Sequence, residues 1–203
     1  MEEKITTTIQ NFIENNSKNI LWIYGRSGCG KTKLANFLSK EFKNKGKKVY
    51  SASANSFVGL TIKLIHNQSL KSLVPYCQKY DLVILDDVSM QLFHKLKTQA
   101  EIKYLVFATL NNKKTKFVLV SEKRPRKLPA LKFHTQNCQY LGLKIPRYET
   151  KINLLKSWAK EKDVIISEEV VALMAIAAEN LFELKGLFNQ FCFRKSKPVF
   201  NKK

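Results

Sequence analysis

Short apolar runs alternate with longer stretches of helical periodicity along the first 145 residues of the chain. The apolar runs predict five strands, at Ile20–Tyr24, Lys48–Ala52, Asp81–Leu85, Lys116–Val120 and Gln139–Leu143. Between them, apolar side chains recur every three or four residues, which predicts helices at Lys31–Lys45, Asn55–His66 and Gln91–Leu110. We expect the first of these helices to bury Leu34, Ala35, Phe37, Leu38 and Phe42. Alternating strands and helices are typical of a parallel α/β sheet sandwiched by helices.

A different pattern follows Pro146, where helical periodicity continues without strands. Three helices are predicted there, at Thr150–Lys162, Ser167–Glu179 and Leu181–Phe193. Ser167 is the expected N-terminal cap of the second. Near the start of the chain, helical spacing predicts one more helix packed on the sheet domain, with an apolar face of Ile5, Ile9, Phe12 and Ile13. We therefore expect an α/β core at residues 1–145, a small helical lid at 146–194 and a basic tail at 195–203.

A glycine-rich segment connects the first predicted strand to the first of the core helices. It fits the pattern GxxxxGK[ST] at every fixed position, and its residues are Gly25, Arg26, Ser27, Gly28, Cys29, Gly30, Lys31 and Thr32. Glycines let the backbone turn so that successive N–H groups point at phosphate oxygens, and the helix N-terminus adds partial positive charge. Lys31 is expected to reach the β- and γ-phosphates, and the Thr32 hydroxyl to hold Mg²⁺. The segment therefore predicts a phosphate-binding loop and a P-loop NTPase fold.

Acidic and hydroxyl side chains follow two other predicted strands. The third strand ends in Asp86 and Asp87, and ligands bind at the carboxyl edge of such sheets. Asp86 is expected to orient Mg²⁺ through its water shell, and Asp87 to polarise an attacking water. The fourth strand ends in Ser121 and Glu122, which we expect to lie between the loop and the acids, near the γ-phosphate. Asp87 and Ser121 are thus the candidate catalytic residues, with Thr32 and Asp86 as candidate metal ligands.

The chain is strongly basic, because Lys and Arg number 36 and Asp and Glu number 16 among its 203 residues. The formal net charge of +20 favours polyanion partners such as nucleic acid or nucleotides. All but five of the basic residues are lysines spread along the chain, so a biased codon composition is an alternative explanation of the charge.

Neither a signal peptide nor a membrane-spanning run is found in the sequence. The longest apolar run, Val170–Ala178, has nine residues and is too short to cross a bilayer. The four cysteines are widely spaced and have no histidines at ligand spacing, so we expect reduced thiols and no zinc site. Together these features predict a cytoplasmic protein without a membrane partner.

Several segments together resemble the AAA+ ATPase module of the DnaA/Hda family of bacterial replication proteins. They are Trp22–Leu34 with the glycine-rich loop, Leu82–Val88 with the two acids, Phe117–Pro125, Leu128–Leu131 and Asn180–Leu187. The resemblance extends from Asn19 to Asn189, and it implies an AAA+ fold that binds ATP or ADP with Mg²⁺. It also implies a function in the control of DNA replication initiation.

Two arginines of that family have no counterpart in this sequence. Phe182 stands in the register of the lid arginine that contacts the nucleotide, and no arginine occurs between Leu131 and Gly142, where the family has one that reaches a neighbouring subunit's nucleotide. An arginine of this kind contributes about 10³ to 10⁵ in turnover. Lys132, a cation in that segment, lacks the planar bidentate group. We therefore expect at most a weak Mg²⁺-dependent ATPase that does not complete a neighbour's site.

Three functions are compatible with these residues. The first is an Hda-like module that docks on a replication initiator or another replication AAA+ protein, with no DNA-reading domain expected after the lid. The alternative is a helicase-loader-type ATPase whose basic surface grips single-stranded DNA, although loaders more usually carry Asp-Glu where this chain has Asp86 and Asp87. The third is a scaffold without turnover, against which the intact Lys31, Thr32 and Asp86 argue. Non-specific DNA contact through the basic surface is a further expectation.

Overall fold

The structure is a computed structural model that describes residues 2–14, 18–66, 73–88, 115–124 and 138–196. Its described residues form two compact units. The first draws on residues 1–25 and 31–143, and the second on residues 26–30 and 144–203. Three predicted features lie outside the described residues, namely the helix at Gln91–Leu110, the part of the arginine-free segment at 131–137 and the tail beyond residue 196.

The first unit contains a five-stranded parallel sheet, as the sequence predicts. Its strands are β1 (Ile20–Tyr24), β2 (Val49–Ser53), β3 (Leu82–Asp86), β4 (Lys116–Ser121) and β5 (Cys138–Gly142). They lie in the order β2-β3-β4-β1-β5, so β4 separates β1 from β3. The three strands that carry the predicted site residues therefore end side by side at the carboxyl edge of the sheet. This order confirms the expected α/β fold and the expected place of β4.

Seven helices are described, four in the first unit and three in the second. They are α1 (Glu2–Glu14), α2 (Lys31–Asn44), α3 (Ala54–His66), α4 (Leu73–Gln78), α5 (Tyr148–Glu161), α6 (Glu168–Ala177) and α7 (Leu181–Ser196). Each predicted helix that falls within the described residues is present, with small shifts at its ends. The sequence did not predict α4, because this helix has only six residues and carries Pro75 in its first turn. Within the described residues, no helix is both long and apolar enough to span a membrane.

Successive strand residues point to opposite faces of the sheet, and the apolar side chains on each face pack against helices. On one face, Leu21, Ile84 and Val118 pack with buried side chains of α1 and α2. On the other face, Trp22, Val83, Leu85, Phe117 and Leu119 pack with side chains of α3 and α4. The predicted packing of α1 on the sheet is confirmed by the complete burial of Phe12.

One part of the expected apolar face of α2 is wrong. The buried positions of this helix are Ala35, Leu38, Ser39 and Phe42. The Phe37 side chain is instead 48% exposed. Position 37 lies beyond the edge of the stripe that faces the sheet, since a helix turns by 100° per residue and a buried stripe covers only one side of it.

The second unit has an apolar core of its own, to which all three of its helices contribute. The core is formed by Leu155, Trp158, Val171, Leu184, Phe188 and their neighbours. The Ser167 side chain accepts a hydrogen bond from the Val170 N–H at 3.4 Å, which confirms the predicted cap of α6. At the other end of α6, the Lys151 ammonium donates to the carbonyl oxygens of Ala175 and Ala178. The ends of α6 are thus satisfied by side chains of its own unit.

Candidate functional site

The glycine-rich loop lies where β1 ends and α2 begins. The Gly25 N–H donates to the Ser121 carbonyl oxygen at 3.3 Å, which joins the start of the loop to β4. Gly28 has a φ of +73° and Gly30 a φ of +96°. Both values are in the left-handed region, which side chains other than glycine rarely tolerate. The loop conformation therefore requires glycine at both positions, of which Gly30 is a fixed position of the sequence pattern and Gly28 is not.

Lys31 and Thr32 are the first two residues of α2. The Lys31 ammonium donates to the Gly25 carbonyl oxygen at 2.7 Å, so its charged end lies over the start of the loop. The first N–H groups of a helix have no partner within the helix, and they give its N-terminus a partial positive charge. A cation and a helix N-terminus are therefore combined at the point where phosphate binding is expected.

The candidate metal ligands are in direct contact. The Thr32 hydroxyl donates to Oδ2 of Asp86 at 2.8 Å, although the two residues are 54 positions apart. Oδ1 of Asp86 accepts the N–H of Asp87 at 2.8 Å, so both carboxylate oxygens have fixed positions. A hydroxyl and a carboxylate are oxygen ligands of the kind that Mg²⁺ prefers. The donor set therefore fits the predicted cation.

Asp87 follows β3 in an unusual backbone conformation. Its φ is +57°, one of two positive values among the described non-glycine residues. The next residue, Val88, donates its N–H to the Val120 carbonyl oxygen at 2.7 Å, which returns the chain to the sheet. The Asp87 side chain is exposed at the carboxyl edge. Its proposed role toward an attacking water stays a prediction.

Ser121 lies at the end of β4, between the loop and the acids, and its side chain is buried. The residue is only 2% exposed. Its hydroxyl accepts a hydrogen bond from Nε1 of Trp22 and donates one to the Lys123 carbonyl oxygen, each at 2.8 Å. These contacts give Ser121 a structural role, in which it joins β1 to the turn after β4. The hydroxyl hydrogen is already used in that turn, and the catalytic role of Ser121 stays a prediction.

The packing around Tyr24, at the end of β1, was not predicted from the sequence. The Arg124 guanidinium lies 5.9 Å from the centre of the Tyr24 ring, within the range of a cation–π interaction. A Cβ added to Gly142 would lie 2.8 Å from the Tyr24 hydroxyl oxygen, so only glycine leaves room for the ring. No pattern in the sequence could have indicated this packing, because the three residues are on different strands or turns.

The loop residues 26–30 group with the second unit, where Phe182 also lies. Phe182 is the second residue of α7 and is 71% exposed. Residues 138–142 of the arginine-free segment form β5.

Comparison with known proteins shows the family to which the chain belongs. The model of the bacterial DnaA ATPase domain matches residues 3–146. The chain belongs to this family. The chromosomal replication initiator protein DnaA of Buchnera aphidicola subsp. Cinara cedri (strain Cc) is 30% identical over 194 residues, which cover 92% of this chain and 43% of that protein. This DnaA-family chain spans about two fifths of the length of the curated relatives that it matches.

Solved DnaA structures share the fold. A replication initiator DnaA bound to AMPPCP and single-stranded DNA matches with a TM-score of 0.79 and 24% identity, covering 95% of this chain and 61% of the other. Domain III of the Thermotoga maritima replication initiation protein DnaA matches with a TM-score of 0.78 and 22% identity, covering 96% of this chain and 83% of the other. The AAA+ fold implied by the sequence resemblance is thereby confirmed.

Proposed function

We propose that this DnaA-family ATPase domain binds ATP or ADP together with Mg²⁺ at the loop Gly25–Thr32. The observation that carries the proposal is the 2.8 Å contact between the Thr32 hydroxyl and Asp86, at the start of the helix that follows the loop. The loop amides would hold the phosphates and Lys31 would neutralise them. Thr32 and Asp86 would hold Mg²⁺, which supplies charge stabilisation to the phosphate oxygens. The DnaA bound to AMPPCP, which shares this fold, supports the choice of nucleotide.

Hydrolysis by the isolated domain is proposed to be weak. Asp87 is the candidate for orienting an attacking water, since it follows Asp86 at the carboxyl edge. Phe182 occupies the register in which the family has a nucleotide-contacting arginine, and a phenyl ring cannot stabilise the charge that develops on the phosphates. We therefore expect tight binding of the nucleotide together with slow hydrolysis. This combination suits a protein that acts through its nucleotide-bound state.

Another protein would recognise the nucleotide-bound state of the domain. We propose that the domain acts in the control of replication initiation by docking on a replication initiator or another replication AAA+ protein in the cytoplasm. The family match and the relatives described as chromosomal replication initiators support this role. Residues 1–145 would form the ATPase core and residues 146–194 the lid, with a basic tail at 195–203.

Titration of the protein with fluorescent ATP and ADP tests the proposal. With Mg²⁺ present, we expect saturable binding of both nucleotides with a dissociation constant of about 1 μM, which corresponds to about 8 kcal/mol. Chelation of Mg²⁺ by EDTA should weaken ATP binding, because a cation held by Thr32 and Asp86 would supply charge stabilisation to the phosphate oxygens. Absence of saturable binding by the folded protein would refute the nucleotide function.

Non-specific contact with single-stranded DNA is a second candidate function. It is favoured by the net charge of +20 and by exposed lysines along α2, at Lys33, Lys40 and Lys43. The DnaA that shares this fold and is described with single-stranded DNA bound adds support. Contact with DNA phosphates releases counterions, so binding falls as salt rises.

Fluorescence anisotropy with a labelled single-stranded oligonucleotide tests this function. For three or more phosphate contacts, the affinity should fall about tenfold or more between about 50 mM and about 200 mM salt. Equal affinity for oligonucleotides of different sequence is expected, since phosphate contacts carry no sequence information. An affinity independent of salt would contradict the proposed contact.

A further inference from the structure

The N-terminus of α7 contacts the tip of the phosphate loop, and both belong to the second unit. The Leu181 N–H donates to the Gly28 carbonyl oxygen at 3.0 Å. On the other side of the same peptide group, the Cys29 N–H donates to the Arg26 carbonyl oxygen at 3.4 Å. The peptide between Gly28 and Cys29 is therefore held at both ends. Its orientation sets the turn in the middle of the loop.

The Asn180 side chain lies directly against this turn. A Cβ added to Gly28 would lie 2.7 Å from Cβ of Asn180, and 2.8 Å from both its Cγ and its Oδ1. Real Cβ atoms essentially never approach so closely, and the left-handed φ of Gly28 independently disfavours any side chain there. Asn180 thus covers the Cα of Gly28, and only glycine at position 28 leaves room for this side chain.

Hydrogen bonds within the first turn of α7 fix the Asn180 side chain. Its Oδ1 accepts the N–H groups of Phe182 at 2.9 Å and Glu183 at 3.1 Å. Its Nδ2 donates to Oε1 of Glu183 at 2.7 Å, and Oε2 of Glu183 accepts the Glu179 N–H at 2.7 Å. This arrangement is a variant of the capping box, in which the Glu183 carboxylate accepts the N–H of the residue before the cap and the Nδ2 of the cap itself. The Asn180 side chain is therefore held in one orientation, and the turn that it caps carries the Leu181 N–H that reaches the loop.

We propose that Asn180 is a positioning residue for the phosphate loop, which it acts on by holding the first turn of α7 against Gly28. The proposal rests on nucleotide binding at Gly25–Thr32 as proposed above. A loop with three glycines loses much conformational entropy when it is ordered. A contact that orders it beforehand reduces the cost of binding phosphate. Loss of the cap would let the first turn of α7 fray, release the Gly28 carbonyl and weaken nucleotide binding.

The loop can be probed without nucleotide through Cys29, which is 6% exposed and adjacent to the held peptide. Alkylation of Cys29 by iodoacetamide is followed by mass spectrometry of its peptide. Burial raises the pKa of Cys77 to about 12 and that of Cys138 to about 11, so these thiols should react slowly. A faster reaction of Cys29 then reports release of the loop.

Asn180→Ala is compared with Ser167→Ala, which removes the cap of α6 instead. Loss of an N-cap of this kind corresponds to about a fivefold change in an equilibrium constant. Asn180→Ala should therefore raise the alkylation rate of Cys29 about fivefold or more. The rate in Ser167→Ala should stay within about twofold of the wild-type rate. The proposal is overturned if the two variants raise the rate equally, or if neither raises it.

A second pair of variants isolates the backbone hydrogen bond. Leu181 is the first residue of α7, a position that accepts proline, and the extended residue before a proline suits an N-cap. Leu181→Pro removes the N–H that reaches Gly28, whereas Leu181→Ala keeps it and removes only the side chain. We expect Cys29 to react about threefold or more faster in Leu181→Pro than in Leu181→Ala. This ratio corresponds to the net contribution of one hydrogen bond. Equal rates would contradict the inference.

Nucleotide affinity completes the test. The dissociation constants for ATP and ADP should both rise about fivefold in Asn180→Ala and stay within about twofold in Ser167→Ala. Unchanged affinity in Asn180→Ala, with faster alkylation of Cys29, would show that the contact orders the loop without positioning it for nucleotide, and the proposal would fall. If the wild type binds no nucleotide, the proposed function fails by itself, and the alkylation rates still decide the contact.

Discussion

Replacing Lys31 with alanine is expected to weaken the binding of ATP and ADP by about 100-fold or more, because loss of one partner of a desolvated charge pair costs about 2–5 kcal/mol. The Lys31 ammonium already lies over the loop, 2.7 Å from the Gly25 carbonyl oxygen. Without it, the phosphate charge would be balanced only by amide dipoles and Mg²⁺. Titration of the variant with fluorescent ATP and ADP measures the loss.

Lys40→Ala is the matched control for this variant. Lys40 lies on the same helix, is exposed, and carries the same charge, so the change in net charge is identical. Its removal should leave nucleotide affinity within about twofold of wild type. Lys40 is nine positions after Lys31 on α2, and exposed charges more than about 10 Å apart are largely screened. If Lys31→Ala and Lys40→Ala bind alike, the loop does not hold phosphate and the proposed nucleotide function is wrong.

Replacing Asp86 with asparagine should remove the effect of Mg²⁺ on ATP binding and lower phosphate release by about 100-fold, as expected when a metal that contributes several kcal/mol is lost. Asparagine has the shape of aspartate and its Oδ1 can still accept the N–H of Asp87. The Thr32 hydroxyl can turn to accept from the amide. The substitution therefore removes the negative charge with little change in geometry. ATP titrations with Mg²⁺ and with EDTA, together with a phosphate-release assay, measure both effects.

Asp81→Asn provides the matched control, because Asp81 precedes the opposite end of the same strand, β3. Its carboxylate accepts the Lys48 N–H at 2.8 Å and forms an ion pair with Lys47 at 3.4 Å. This variant loses the same charge away from the loop, and it should keep the Mg²⁺ effect of the wild type. A Mg²⁺ effect that survives in Asp86→Asn would refute the assignment of Asp86 as a metal ligand.

Local pattern was sufficient to predict most elements and the loop. Apolar runs such as Leu82–Leu85 are buried in the sheet, and the residues of α1, α2 and α3 are helical as expected. Burial of apolar side chains and helical spacing are properties of short segments, so they can be read without knowledge of the partners. The short helix α4 and the exposure of Phe37 were missed, because each depends on packing against the rest of the molecule.

The sequence by itself determined the α/β class, the glycine-rich loop and the two acids after β3, since each is encoded in consecutive residues. Only the tertiary structure decided which distant groups meet. The order of the strands sets Thr32 against Asp86 and turns the Ser121 hydroxyl toward Trp22. The cap of α7 likewise places Asn180 against Gly28 in the second unit. These contacts join residues far apart in the chain, and their partners are selected by how helices and strands pack, which no local spacing encodes.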